Sequence, residues 1–207
     1  MLAGCCPRPE GLRIGSWWLP GEELDRAAAM LAKSFPAYGP ATIRWRLLDG
    51  GMGAATILHG RHPEASRRAH REAERWAARL RAGEPAATLE FELAQSKGED
   101  LPVTQFFPPH PAALGGAVAA HVAALEPGQS TGPIRTRAGW EVVQLVDRAP
   151  GDRSRANVVI HRLLVRVGFP EDAALAREDW SRLPISGSQE SLSVVPMEEL
   201  RRRGSRF

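Results

Sequence analysis

The sequence predicts an α+β protein: an antiparallel sheet surrounded by helices, with a helical arm before it and a strand–helix extension after it. Three observations predict this. Several segments place apolar residues at helical spacing, most clearly Pro63 to Ala82, where Ala65, Ala69, Ala73, Trp76 and Leu80 line one face. Trp140 to Asp147 alternates, with Trp140, Val142 and Gln144 on one face and Glu141, Val143 and Leu145 on the other. Val158 to Val167 is an apolar strand with Val159, His161, Leu163, Val165 and Val167 on one face, and a helical pattern follows it.

In chain order, residues 1–20 read as a lead-in with a short strand, Ile14 to Leu19, that carries Trp17 and Trp18. Pro20 sits where a helix can begin, and Gly21 to Ser34 places Leu24, Ala28 and Leu31 on one stripe. Pro36 stops it, Pro40 permits a second helix over Ala41 to Asp49, and Gly50-Gly51 ends that one. Ala54 to His59 is a short apolar run, read as a strand. The helix from Pro63 to Ala82 follows, closed by Gly83, with Arg and Glu on its outer face, a solvated surface. Ala86 to Gln95 reads as a helix with Leu89 and Leu93 inward, Lys97 to Pro111 as a Pro-rich loop, and Pro111 to Leu125 as an Ala-rich helix. Strands are predicted at Gly132 to Thr136 and Trp140 to Asp147, joined by the Arg137-Ala138-Gly139 turn. Glu171 to Leu183 is a helix; the tail after Pro184 is weakly patterned and ends in Arg201-Arg202-Arg203, read as a solvated helix end.

The 207 residues suit one full domain and a smaller one, divided as 1–53, 54–150 and 151–207. Hydrophobic content of 43% and charged content of 25% are ordinary for a globular chain. The net charge of +3 is mild and spread over helix surfaces as Arg, with no basic stripe interleaved with aromatics, so no nucleic-acid partner is expected. No run of about 18 apolar residues suggests a membrane span. Leu2-Ala3-Gly4-Cys5 resembles the lipobox of bacterial lipoproteins, which makes Cys5 a candidate lipidation site and implies membrane attachment; chance occurrence is the other reading. Cys5 and Cys6 are adjacent, and no other Cys exists to build a disulfide framework.

Two further motifs are set aside. Gly128-Gln129-Ser130-Thr131-Gly132 matches the hydrolase nucleophile elbow, but that motif needs a strand before and a helix after, the reverse of the pattern here. His59, His62 and His70 lack a carboxylate at ligand spacing, so surface and capping roles are expected, with no metal and no cofactor.

From residue 54 the predicted order is strand, long helix, helix, loop, helix, strand, strand. Thr56-Ile57-Leu58-His59 stands before a helix ending Leu80-Arg81-Ala82-Gly83; Gly98-Glu99-Asp100-Leu101 follows; then comes the block Ala124 to Val143, with Leu125, Gly128, Ser130, Pro133-Ile134, Thr136 and Gly139-Trp140-Glu141. This order and these motifs resemble the parvulin-type peptidyl-prolyl isomerase family. Its domain opens with a strand reading His-Ile-Leu-Val and closes with a block into which 124–143 fits almost residue for residue. The helices before Ala54 resemble the arm of periplasmic parvulin-type chaperones. His161-Arg162-Leu163-Leu164-Val165 resembles the opening of a second, shortened unit, or is an extra strand on the first.

The resemblance implies an apolar groove for a proline ring, flanked by two His and a Cys or Asp. The first His position falls on Thr56 and the second on Glu141; a Cys is excluded, since Cys5 and Cys6 are the chain's two. Leu101, Leu114 and Val118 fall on the apolar pocket positions, Phe106 and Phe107 stand on the loop beside them, and Ala138 sits at the hairpin turn. Thr56 and Glu141 are either an altered polar pair at the groove floor, or a strand filler and a solvent-facing strand residue. The implied function is a folding factor for exported proteins, periplasmic or anchored at the outer membrane, that takes unfolded or proline-containing segments with isomerase activity weak or lost. The alternative is a non-catalytic peptide-binding module serving a dedicated partner.

Overall fold

A computed structural model describes residues 10–97, 105–107, 114–150 and 158–205, with 97 and 105–107 as backbone. Where one strand is expected near the start, Gly15-Ser16 turns the chain, so β1 (Gly11–Ile14) and β2 (Trp17–Pro20) pair antiparallel as a hairpin. α1 (Gly21–Ala32) follows with Glu22 and Glu23 in its first turn, where the helix dipole favours acids, and buries Leu24, Ala27, Ala28 and Leu31. α2 (Pro40–Leu47) starts on Pro40, as read from the sequence.

Gly51, at φ 132° and ψ −15°, breaks the helical path as a glycine there is expected to, but no loop follows: the chain turns straight into α3 (Gly53–Arg61). The Ala54 to His59 run is therefore helix, not strand. Every residue from Gly53 to His59 is buried, so the run carries no periodicity to separate a buried helix from a buried strand. Ala54 and Ala55 favour helix. Gly53 lets the helix sit against Trp180, because a Cβ there would meet the indole at 2.2 Å.

α4 (Pro63–Arg81) buries Ala69, Ala73, Trp76 and Leu80 on the expected stripe. α5 (Ala86–Lys97), β3 (Gln105–Phe107), α6 (Gly116–Ala124), β4 (Ile134–Thr136) and β5 (Gly139–Arg148) come next. β3 falls inside the segment read as a loop. β6 (Val158–Arg166) and α7 (Pro170–Arg182) follow as the expected strand and helix. The weakly patterned tail adds β7 (Ile185–Gly187), α8 (Gln189–Leu192) and α9 (Met197–Arg202). No helix among the described residues is long and apolar enough to cross a membrane.

Among the described residues the strands form two antiparallel sheets. β2-β1-β7 joins the N-terminal hairpin to the tail, and β3-β6-β5-β4 is the main sheet. β6 is thus a central strand of the same sheet as β5. The alternation read for β5 sorts its side chains into two cores. Trp140 and Val142 face a large core that draws on α1, α3, α4, α5 and α7; Val143 and Leu145 face a smaller one with Val118, Val122, Val158 and Ile160. Residues from all three sequence segments enter the large core. Arg203 corrects the reading of a solvated end: it is buried against Trp180, its guanidinium 4.3 Å from the ring centroid, and it is ion-paired to Glu199.

Candidate functional site

The β4–β5 hairpin, the N-terminal end of α6 and the Gly50-Gly51 kink enclose a narrow groove of about 190 Å³. That is room for one side chain, well below the ~300 Å³ at which pockets for larger ligands begin. Leu114, Val118, Ala138 and Glu141 all line it. All four are among the residues the resemblance assigns, and the fold brings them together: Leu114 from just before α6, Val118 from α6, Ala138 from the hairpin turn and Glu141 from β5. Leu114 and Val118 are buried and supply an apolar wall.

The polar floor differs from expectation. Glu141 is not solvent-facing: only 3% of it is exposed. Its cross-strand partner is Leu164, and Arg162 lies two residues along the same face of β6. Arg162 Nε and Nη2 donate to Glu141 Oε2 at 2.9 and 2.5 Å. A buried carboxylate needs such a partner, because desolvation otherwise drives it to take up a proton. Each charge is therefore committed to the other before any peptide arrives.

Thr56 does not reach this groove. From α3 it points to a second, larger cavity of about 570 Å³, on the side of β5 that carries Trp140. Its hydroxyl donates to the Met52 carbonyl at 2.9 Å and accepts from Arg135 Nη2 at 3.4 Å. Arg135 and Ala117 border both spaces, and Arg135 is held by Glu23 through two hydrogen bonds of 3.0 and 2.8 Å.

No family model, curated protein or solved structure matches the chain.

Trp17, Trp18, Met30 and Met52 contribute apolar lining to the large cavity, and His59 and Ser66 a buried polar pair. His59, expected at the surface or in a cap, is 6% exposed. Its Nδ1 is 2.7 Å from Ser66 Oγ and its Nε2 is 2.9 Å from the Thr136 carbonyl. Trp140 Nε1 donates to the same Ser66 Oγ at 3.2 Å, and its ring meets His59 edge to face. Burial pushes the His59 pKa down to about 4, and the nearby Arg135 charge pushes the same way, against the hydrogen bond to Thr136. The ring is therefore neutral near pH 7. His121, on the same cavity wall, is also lowered by burial.

Among the described residues no cluster of His, Cys, Asp and Glu is arranged to hold a metal ion. Leu101 and Cys5 lie outside the described residues, as do the side chains of Phe106 and Phe107. Sequence reading missed Arg162, His59 and Ser66. A signal for Arg162 existed in the Arg162-Leu163-Leu164-Val165 run. None existed for the other two, whose pairing depends on the unforeseen α3–α4 turn.

Proposed function

We propose that the chain is a divergent parvulin-like protein that holds unfolded or proline-containing segments in the groove between α6 and the β4–β5 hairpin, with isomerase activity weak or lost. The observation that carries this reading is the convergence of Leu114, Val118, Ala138 and Glu141 on one pocket sized for a single ring. The block 124–143 adds support, since it folds as helix end, turn and hairpin.

The opening strand of such a domain is better sought in β6 than near Thr56. Arg162-Leu163-Leu164-Val165 reads like His-Ile-Leu-Val with Arg in the histidine position, and Arg162 contacts Glu141, the residue in the second histidine position. On this reading an ion pair replaces two histidines. Isomerisation crosses a barrier of roughly 18–20 kcal/mol and takes about 10–100 s uncatalysed. Lowering that barrier calls for groups that act on the twisted amide more than on the ground state. A carboxylate and a guanidinium already satisfied by each other offer little of this, while the apolar wall still holds a ring. The exported, lipid-anchored location follows from the Cys5 motif and belongs to the same proposal.

A titration with proline-containing peptides, followed by amide chemical shifts, tests the reading. Binding with shifts at Leu114, Val118 and Ala138 is expected, together with an isomerisation rate close to the uncatalysed one. Absence of binding at these residues overturns the groove. A large rate enhancement removed by Glu141→Gln overturns the loss of activity. Narrow selection of one partner sequence over all other proline peptides would favour the dedicated binding module instead.

A further inference from the structure

We propose that Ser66 is a nucleophilic serine with His59 as its general base, opening on a cavity that takes the apolar acyl group of an ester. The site lies on the other side of β5 from the groove and does not depend on the reading above.

The hydrogen-bond partners fix the proton positions. The Thr136 carbonyl only accepts, so His59 Nε2, 2.9 Å away, carries hydrogen. In a neutral ring the lone pair then sits on Nδ1, 2.7 Å from Ser66 Oγ. Trp140 Nε1 only donates, so Oγ accepts from it and sends its own hydrogen to His59. This is the arrangement a serine needs to be activated: a base within reach, with a third group holding the base in one tautomer. A backbone carbonyl does here what a carboxylate does elsewhere.

The cavity above the pair suits a substrate. Its volume of about 570 Å³ falls in the range of small-molecule pockets. Trp17, Trp18, Met30 and Met52 give it an apolar wall, and Glu22, Glu23 and Arg26 line it as well. Arg135 also lines it, with its guanidinium already paired to Glu23.

In the reaction Ser66 Oγ bonds to the ester carbonyl carbon while its proton passes to His59 Nδ1. The bond to the alcohol oxygen breaks, and the alcohol leaves with that proton. Water then attacks the acyl-serine, gives its proton to His59, and releases the acid as Ser66 regains its hydrogen.

The test uses the full chain with an alkyl fluorophosphonate and, separately, a short-chain p-nitrophenyl ester. One covalent adduct is expected, mapped by peptide mass to Ser66, with a burst of p-nitrophenol. Ser66→Ala should carry none, and His59→Gln should be labelled at least about 100-fold more slowly. The labelling rate should stay level from about pH 8 to 5.5 and fall with a midpoint near 4, where His59 takes up a proton. Folded wild-type protein that gives no adduct at Ser66 overturns the proposal, without recourse to any variant. So does labelling indifferent to His59→Gln, or a midpoint near 7, which would place the base elsewhere. A Ser–His pair that merely clasps α3 to α4 gives none of the expected results.

Discussion

Trp140 and Glu141 are adjacent on β5 and face opposite ways, and the two sides they face handle buried polar groups by opposite means. On the Glu141 side a full negative charge is kept and matched by Arg162. On the Trp140 side His59 is kept neutral, satisfied by a hydroxyl and a carbonyl. The first solution loses its basis if one partner is removed. The second tolerates small changes of partner but depends on pH.

Removing Arg162 should produce the largest effect. Arg162→Leu leaves Glu141, 4% exposed in its side chain, without its guanidinium, and breaking a buried pair in this way costs about 3–5 kcal/mol. Urea denaturation should show a strongly lowered midpoint. Replacing both partners together, Glu141→Leu with Arg162→Leu, should recover much of the loss, since the Glu141 carboxylate is then no longer left without its guanidinium. If the single and double variants are equally unstable, the pair is not what holds this side.

Acid should act next, and on the other side. In the folded protein His59 resists protonation down to about pH 4, whereas the unfolded chain takes up that proton near 6.5. Its contribution to stability is therefore complete above pH 6.5 and is lost as pH falls from 6.5 to about 4. A pKa lowered that far corresponds to roughly 3 kcal/mol across the window. His121, lowered by the same cause, adds in the same direction. Denaturation midpoints at pH 7.5, 5.5 and 4.5 should fall steeply for wild type and less steeply for His59→Gln. Parallel curves would mean that His59 is accessible to protons in the folded state.

How much of this was legible in the sequence follows from the same contrast. The β5 alternation and the α4 stripe were readable, because period reports which face a residue takes; Leu114, Val118, Ala138 and Glu141 came from the resemblance alone. Partners across the fold were not readable. Glu141 gives no sign in its own segment of whether solvent or an arginine awaits it, and the answer lies 21 residues away on β6. The Ala54 to His59 run was misread because burial on every side erases the periodicity that would have named it a helix. The tail hid its structure for a related reason: β7 and α8 are three and four residues long, too short for a period to show, and they form by docking on the β1–β2 hairpin and the core.

Thr56 offers the finest test of where one side ends and the other begins, because the resemblance assigns it to the groove and the fold to the cavity. Its hydroxyl donates within α3 to the Met52 carbonyl, which already takes part in the helix, so losing that bond costs about 1 kcal/mol or less. Thr56→Val keeps the shape and the buried methyl while removing the oxygen. Stability should therefore fall only slightly, and proline-peptide affinity should not change, whereas Glu141→Gln should alter the groove shifts. The oxygen also accepts from Arg135 at 3.4 Å, and Arg135 borders both spaces. A change in peptide affinity with Thr56→Val would thus mean that Arg135 transmits between the two sides of β5. The contrast between Trp140 and Glu141 would then describe one connected site in place of two.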